Sequence, residues 1–275
     1  MPSSRRDPTS RTSVSRRRYL RGGAMGKRLI KTAGTERTAM RLLVSPRNME
    51  EAREAIAGGT DILDIKNPAE GSLGANFPWV VRSIRTMAPA GLEISCAIGD
   101  MPDLPGTASM AALGAAHAGA DYVKFGLLGP KTGESAVTLA RAVVRAVKDE
   151  FVDVRIVVAG YGDHLTGGTV HPLEVPGIAA ASGCDVAMLD TLGKRGSCLF
   201  DHIGADGAAR FVDACHDHGL QAALAGNIGI DHLEALKDTG CDIVGVRGAA
   251  CEGGDRSSQL RGHLVRELAE LVRQG

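Results

Sequence analysis

"RLLVSPRNMEEAREAIAGGTDILDIK" (residues 41–66) holds one complete β–α–β unit. The runs "RLLVS" (41–45) and "DILDIK" (61–66) are short, apolar and β-branched, as buried strands are. Between them, "NMEEAREAIAGG" carries apolar residues three and four apart and ends in glycine, the signature of an amphipathic helix with a left-handed cap. The alternation repeats along the chain. Further strands are predicted over "EISCAIG" (93–99), "YVKFGL" (122–127), "RIVVAGY" (155–161), "DVAMLD" (185–190), "QAALAG" (221–226) and "DIVGVRG" (242–248). Helix-like stretches such as "PWVVRSIRTMAP", "SMAALGAAHAGA", "SAVTLARAVVRAVKDEF", "GAARFVDACHDHGL", "IDHLEALKDTGC" and "SSQLRGHLVRELAELVRQ" follow them. Eight βα units in about 235 residues predict an α/β chain folded as a single (β/α)8 barrel. No G-x-G-x-x-G follows the first strand, which argues against a dinucleotide-binding sheet.

Residues 1–39 stand apart. They carry eleven basic and two acidic residues with abundant Ser, Thr and Arg, and no helical apolar period. The segment is expected to be disordered, either a transit-peptide-like leader or an extended reading frame with Met25 or Met40 as the working start. The barrel domain is expected over 40–275. That body holds 21 basic and 30 acidic residues, so the net charge of zero for the whole chain conceals a body at −9. Such a surface excludes a general nucleic-acid binder, which needs surplus cations against phosphate. No apolar run has the length of a membrane span. Cys96, Cys184, Cys198, Cys215, Cys241 and Cys251 are scattered without a C-x-x-C pair and read as buried thiols of a reducing, cytoplasmic compartment.

The body uses fifteen arginines but only six lysines. Three of the six, Lys66, Lys124 and Lys194, fall at or just past the C-terminal ends of strands 2, 4 and 6, where barrels carry their chemistry. Arginine stays protonated, whereas lysine can become a nucleophilic amine when desolvated or crowded by other cations. A lysine of pKa ~10.4 has roughly one amine in a few thousand free at neutral pH, and a fall of ~3 units raises that fraction about a thousandfold. Asp64 and Lys66 are two apart on one strand and share a face. Asp190 ends strand 6 in "MLDTLGK", four residues before Lys194. Three amines with two carboxylates suit Schiff-base chemistry, in which an iminium serves as an electron sink.

Two glycine-rich turns follow strands 7 and 8. "AGNIG" (225–229) and "VRGAAC" (246–251) offer Gly226, Asn227, Gly229, Arg247 and Gly248 as a cradle for a substrate phosphate. The histidines are dispersed, and no metal site is expected. The loop "NPAEGSLGANFP" (67–78) contains Pro68, Gly71 and Gly74 and is expected to close over bound substrate.

These residues carry a resemblance. "LLVSPRNMEEAREAIAGGTDILDIKNPAEGSLGANFPWV", "YVKFGL" and "LDTLGKRG" resemble the (5-formylfuran-3-yl)methyl phosphate synthase family, from about Met40 to the C-terminus. The leader has no place in that pattern. The resemblance implies a cofactor-free barrel, similar to class I aldolases, that joins two glyceraldehyde 3-phosphate molecules into a furan aldehyde with loss of phosphate and water, in methanofuran-type biosynthesis. It implies Lys66 as the Schiff-base lysine and Lys124 as proton acceptor, with Asp64, Asp190 and Lys194 assisting. The expected partners are a triose phosphate and further copies of the chain, with neither nucleic acid nor membrane. Two other readings stay open at this point: a class I aldolase or triose-phosphate isomerase, and a barrel that senses a phosphorylated ligand without turnover.

Overall fold

The computed structural model describes residues 29–32, 35–193 and 196–274. Each predicted apolar run forms a strand: β1 (Arg41–Val44), β2 (Ile62–Ile65), β3 (Glu93–Asp100), β4 (Tyr122–Gly126), β5 (Arg155–Tyr161), β6 (Val186–Asp190), β7 (Gln221–Leu224) and β8 (Ile243–Val246). They pair in parallel in chain order, and β8 closes on β1 with Val246 opposite Val44. Outside the barrel run α1 (Met49–Gly58), α2 (Pro78–Met87), α3 (Pro105–His117), α4 (Gly133–Lys148), α5 (Val175–Ser182), α6 (Leu199–Asp217), α7 (Leu233–Thr239) and α8 (Gly262–Arg273).

The first helix shows how local sequence builds the layer. Asn48 caps it by accepting from the Glu51 N–H at 2.9 Å, and Gly59, at φ +88, turns the chain out at its end. Its buried face presents Ala52, Ala55 and Gly58. Gly58 is glycine because α8 comes that close: a Cβ there would stand 2.4 Å from the Val265 Cβ. The contact seals the seam where the last helix meets the first.

Strand alternation separates two cores. In β2, Leu63 and Ile65 point outward into the layer beneath the helices, whereas Ile62 belongs to the cluster filling the lumen. Asp64, between Leu63 and Ile65, therefore points inward. At the N-terminal end of the lumen, Arg41, Glu93, Tyr122 and Arg155, the first residues of β1, β3, β4 and β5, close the barrel. Arg155 Nη1 lies 2.7 Å from Glu93 Oε1, and Arg41 Nη1 donates to Tyr122 Oη at 2.9 Å. That leaves the C-terminal mouth as the open end.

Two features differ from the sequence reading. The helix α5, "VPGIAAAS", has no one-sided apolar period because Val175, Pro176, Ile178, Ala179 and Ser182 bury most of its circumference. Within the segment expected to be disordered, Leu29–Thr32 and Thr35–Thr38 pair as antiparallel strands, consistent with the β-branched Ile30, Thr32, Thr35 and Thr38. The remaining leader residues lie outside the described residues. Among the described residues, no helix is long and apolar enough to cross a membrane.

Candidate active site

Asp64 stands at the centre of the mouth. Ser95 lies directly across on β3 and donates to Asp64 Oδ1 at 2.7 Å. Ser45, the residue after β1, donates to Oδ2 at 2.9 Å. Lys124, on β4, reaches both oxygens at 2.8 Å. The carboxylate is fully buried and the lysine is 1% exposed. An ion pair this deep survives only when its lone pairs and protons are satisfied, and here three side chains converge on the two oxygens. Burial pushes the Asp64 carboxyl up, yet Lys124, Lys66 and the hydrogen bonds outweigh it and hold the carboxyl below its ordinary value.

Lys66 follows β2 directly and lines the same cavity as Asp64, Lys124 and Asp190. It is 7% exposed. Asp190 ends β6, nearly buried, with Oδ1 accepting from the Thr191 N–H at 2.8 Å. Thus Lys66, Lys124, Asp64 and Asp190 come together from strands 2, 4 and 6. Lys194 lies outside the described residues.

The glycine-rich turns border the same cavity through Gly226, Asn227, Arg247 and Gly248. Gly226 has φ +106, and a Cβ there would meet Thr191 Cγ2 at 2.9 Å. Asn227 also takes a positive φ, +54, so the backbone curls tightly at this rim. Gly229 is not among the lining residues; its N–H caps His232 Nδ1 at 3.0 Å. Arg247 borders the cavity, but its guanidinium is engaged elsewhere. Nη1 donates to Ser45 O at 2.7 Å and Glu51 Oε2 at 2.8 Å, Nη2 to Glu51 Oε1 at 3.2 Å, and Nε to Arg256 O at 3.0 Å.

The β2–α2 loop folds into the mouth. Leu73 is fully buried in the lumen cluster, Ser72 Oγ donates to Thr191 O at 2.8 Å, and the Leu73 N–H donates to Asp100 Oδ2 at 3.2 Å. Tyr161 Oη in turn donates to Asp100 Oδ1 at 2.5 Å. The loop's glycines serve close approach: a Cβ on Gly71 would stand 2.3 Å from Asp100 Oδ2, and one on Gly74 2.2 Å from Asn67 O. Burial first, then Asp100, pushes the Tyr161 phenol far above its usual range, so it remains a hydrogen-bond donor.

Sequence reasoning missed Ser45, Ser95, Arg256 and the Asp100–Tyr161 pair. The two serines could have been found by register, since both end up level with Asp64 on neighbouring strands. Arg256 sits in "CEGGDRSSQ", which reads only as a loop. All six cysteines are buried, and burial raises the Cys96, Cys184 and Cys241 thiols to about 12, which leaves them protonated packing groups. Among the described residues, no group of three His, Cys, Asp or Glu side chains is arranged to hold a metal ion.

The family model described as 4-HFC-P synthase matches residues 42–269. The chain is 54% identical over 234 residues to the (5-formylfuran-3-yl)methyl phosphate synthase of Methanothermobacter thermautotrophicus, covering 85% of this chain and 99% of that protein. It is 55% identical over 235 residues to the synthase of the same name from Methanocaldococcus jannaschii, covering 85% and 100%. Among solved structures, 3-hexulose-6-phosphate synthase superposes with a TM-score of 0.59 at 17% identity, over 84% of this chain and 99% of that one. Orotidine 5'-phosphate decarboxylase from Pyrococcus horikoshii gives 0.58 at 17% identity, over 84% and 99%. At that identity the likeness concerns the fold alone.

Proposed function

The chain belongs to the 4-HFC-P synthase family, and from that premise we propose that it condenses two glyceraldehyde 3-phosphate molecules into 4-(hydroxymethyl)-2-furancarboxaldehyde phosphate. The six carbons of two trioses, less one phosphate and two waters, give that product. The reaction class is a carbon–oxygen lyase that works through an imine.

One observation supports this reading above the others: a buried Asp64–Lys124 ion pair at 2.8 Å shares its cavity with Lys66, two residues along the same strand face. The two lysines differ in environment. Lys124 is held bidentately by the Asp64 carboxylate, which fixes its Nζ in one place for proton transfer. Lys66 stands at the strand end, where a triose carbonyl entering the mouth meets it first, which suits the nucleophile. The imine acidifies the adjacent carbon, and the enamine formed by proton loss toward the Lys124–Asp64 pair attacks the aldehyde of the second triose. Asp190, across the mouth, is positioned to protonate leaving oxygens during elimination and ring closure. Ser45 and Ser95 hold Asp64 in one orientation through these transfers.

Purified protein incubated with glyceraldehyde 3-phosphate should develop a furan chromophore in the ultraviolet with release of inorganic phosphate. Appearance of a stable sugar phosphate instead would make the protein an aldolase. Binding without any turnover would make it a sensor.

A further inference from the structure

Of the two described arginines that line the cavity, Arg247 has its guanidinium committed and Arg256 does not. Arg247 is the residue that the glycine-rich turn after β8 presents to sequence inspection, but four of its N–H groups go to Glu51, Ser45 and Arg256 carboxylate or carbonyl oxygens. Glu51 is fully buried and Arg247 nearly so, so this fork is committed to the seam between β8 and α1. Arg256 presents the opposite case. It lines the cavity that holds Lys66 and Asp190, and among the described residues its guanidinium has no counterpart to the fork that ties Arg247, Asp190 acting on it through charge alone. Its main chain is what is held: Arg247 Nε donates to its carbonyl at 3.0 Å.

The surroundings of Arg256 are those of an anion site. A Cβ built on Gly248 would stand 3.2 Å from the Gly254 carbonyl and 3.9 Å from both Arg256 Cβ and Asn227 Oδ1, so the turns after β7 and β8 and the Arg256 segment meet at one spot. Burial and the adjacent Arg247 act against the Arg256 charge, Asp190 favours it, and the balance lies below the ordinary value. A cation held in that state gains from a dianion more than a solvated one does.

We infer that Arg256 is the phosphate-binding cation of the mouth, gripping a substrate phosphate over the Gly226–Asn227 and Gly248 turns, and that Arg247 is a positioning residue that sets the Arg256 main chain from behind. The inference deepens the triose-phosphate reading and rests on it for the identity of the phosphate ester. The ligand chemistry itself, a phosphate dianion on a planar fork and backbone turns, does not depend on which reaction follows.

The test therefore uses inorganic phosphate as its probe. Titration calorimetry of the full chain should give phosphate binding that weakens about ten- to a hundredfold in Arg256→Gln, with part of the affinity restored in Arg256→Lys. The melting temperature should not fall, because the side chain has no described partner to lose and its charge is disfavoured by burial. In Arg256→Gln the concentration of glyceraldehyde 3-phosphate needed for half-maximal borohydride trapping on Lys66 should rise by about the same factor as for phosphate. Phosphate affinity within about twofold of the parent in Arg256→Gln, or no phosphate binding by the parent, overturns the inference. Loss of phosphate binding in the variant of a parent that makes no furan leaves the inference standing and removes only the proposed reaction.

Discussion

Lys124 Nζ lies 2.8 Å from both oxygens of Asp64, and neither residue is more than marginally exposed. Removing one charge strands the other. Asp64→Asn should cost about 3–5 kcal/mol of unfolding free energy and lower turnover by about a hundredfold or more. Adding Lys124→Met should restore most of the stability but none of the activity, since two neutral side chains no longer bury a lone charge. Urea unfolding with the furan assay checks both. An active Asp64→Asn protein would remove the carboxylate from the mechanism.

Lys66→Arg should abolish product and the borohydride adduct together. Arginine keeps the charge and most of the length but cannot form an imine at neutral pH, so a purely electrostatic Lys66 would retain part of its activity. Peptide mapping locates the adduct. A mass increment on Lys124 or Lys194, with the Lys66→Arg protein still active, would move the nucleophile to that lysine.

The Glu51–Arg247 pair predicts an acid-sensitive seam. Burial favours the neutral Glu51 carboxyl, but hydrogen bonds from Arg247 and Arg47 prevail and lower it from 4.5 to about 2. Because the folded value is the lower one, the stabilisation is fully present above pH 4.5 and is lost as pH falls toward 2. The urea midpoint of the parent should therefore fall steeply over that interval, and Glu51→Gln should flatten the fall. Glu51→Gln should also cost about 3–5 kcal/mol at neutral pH. An unchanged acid limb in the variant would assign the sensitivity to other carboxylates.

The docked β2–α2 loop predicts a local latch. Tyr161→Phe removes the hydrogen bond to Asp100, whose other oxygen receives the Leu73 N–H. Loss of about 1–1.5 kcal/mol of local stability should speed amide exchange at Leu73 about tenfold, with exchange in β4 and β5 unaltered. In the parent, saturating glyceraldehyde 3-phosphate should slow exchange across residues 69–76. Equal exchange with and without substrate would mean that the loop is fixed barrel wall and gates nothing.

The barrel was readable because its information is local. The runs at 41–45 and 61–66 became β1 and β2 within a residue at each end, and the period of two put Asp64 and Lys66 on one face before any partner strand was known. Of the three lysines singled out at strands 2, 4 and 6, Lys66 and Lys124 line one cavity, and Lys194 lies outside the described residues. The α5 helix escaped because "VPGIAAAS" is apolar all round, and a pattern with no polar face carries no period.

The sequence by itself determined the order of strands and helices and the face of each strand, because these follow from contacts two to four residues apart. Only the tertiary structure decided who meets whom across the barrel. Glu51 and Arg247 are 196 positions apart, Lys124 and Asp64 are 60, and Tyr161 and Asp100 are 61. Their meeting depends on the register and closure of all eight strands together. That closure ties Arg247 to the seam and opens the mouth to Arg256, a distinction that two arginines in glycine-rich turns cannot express in a linear sequence.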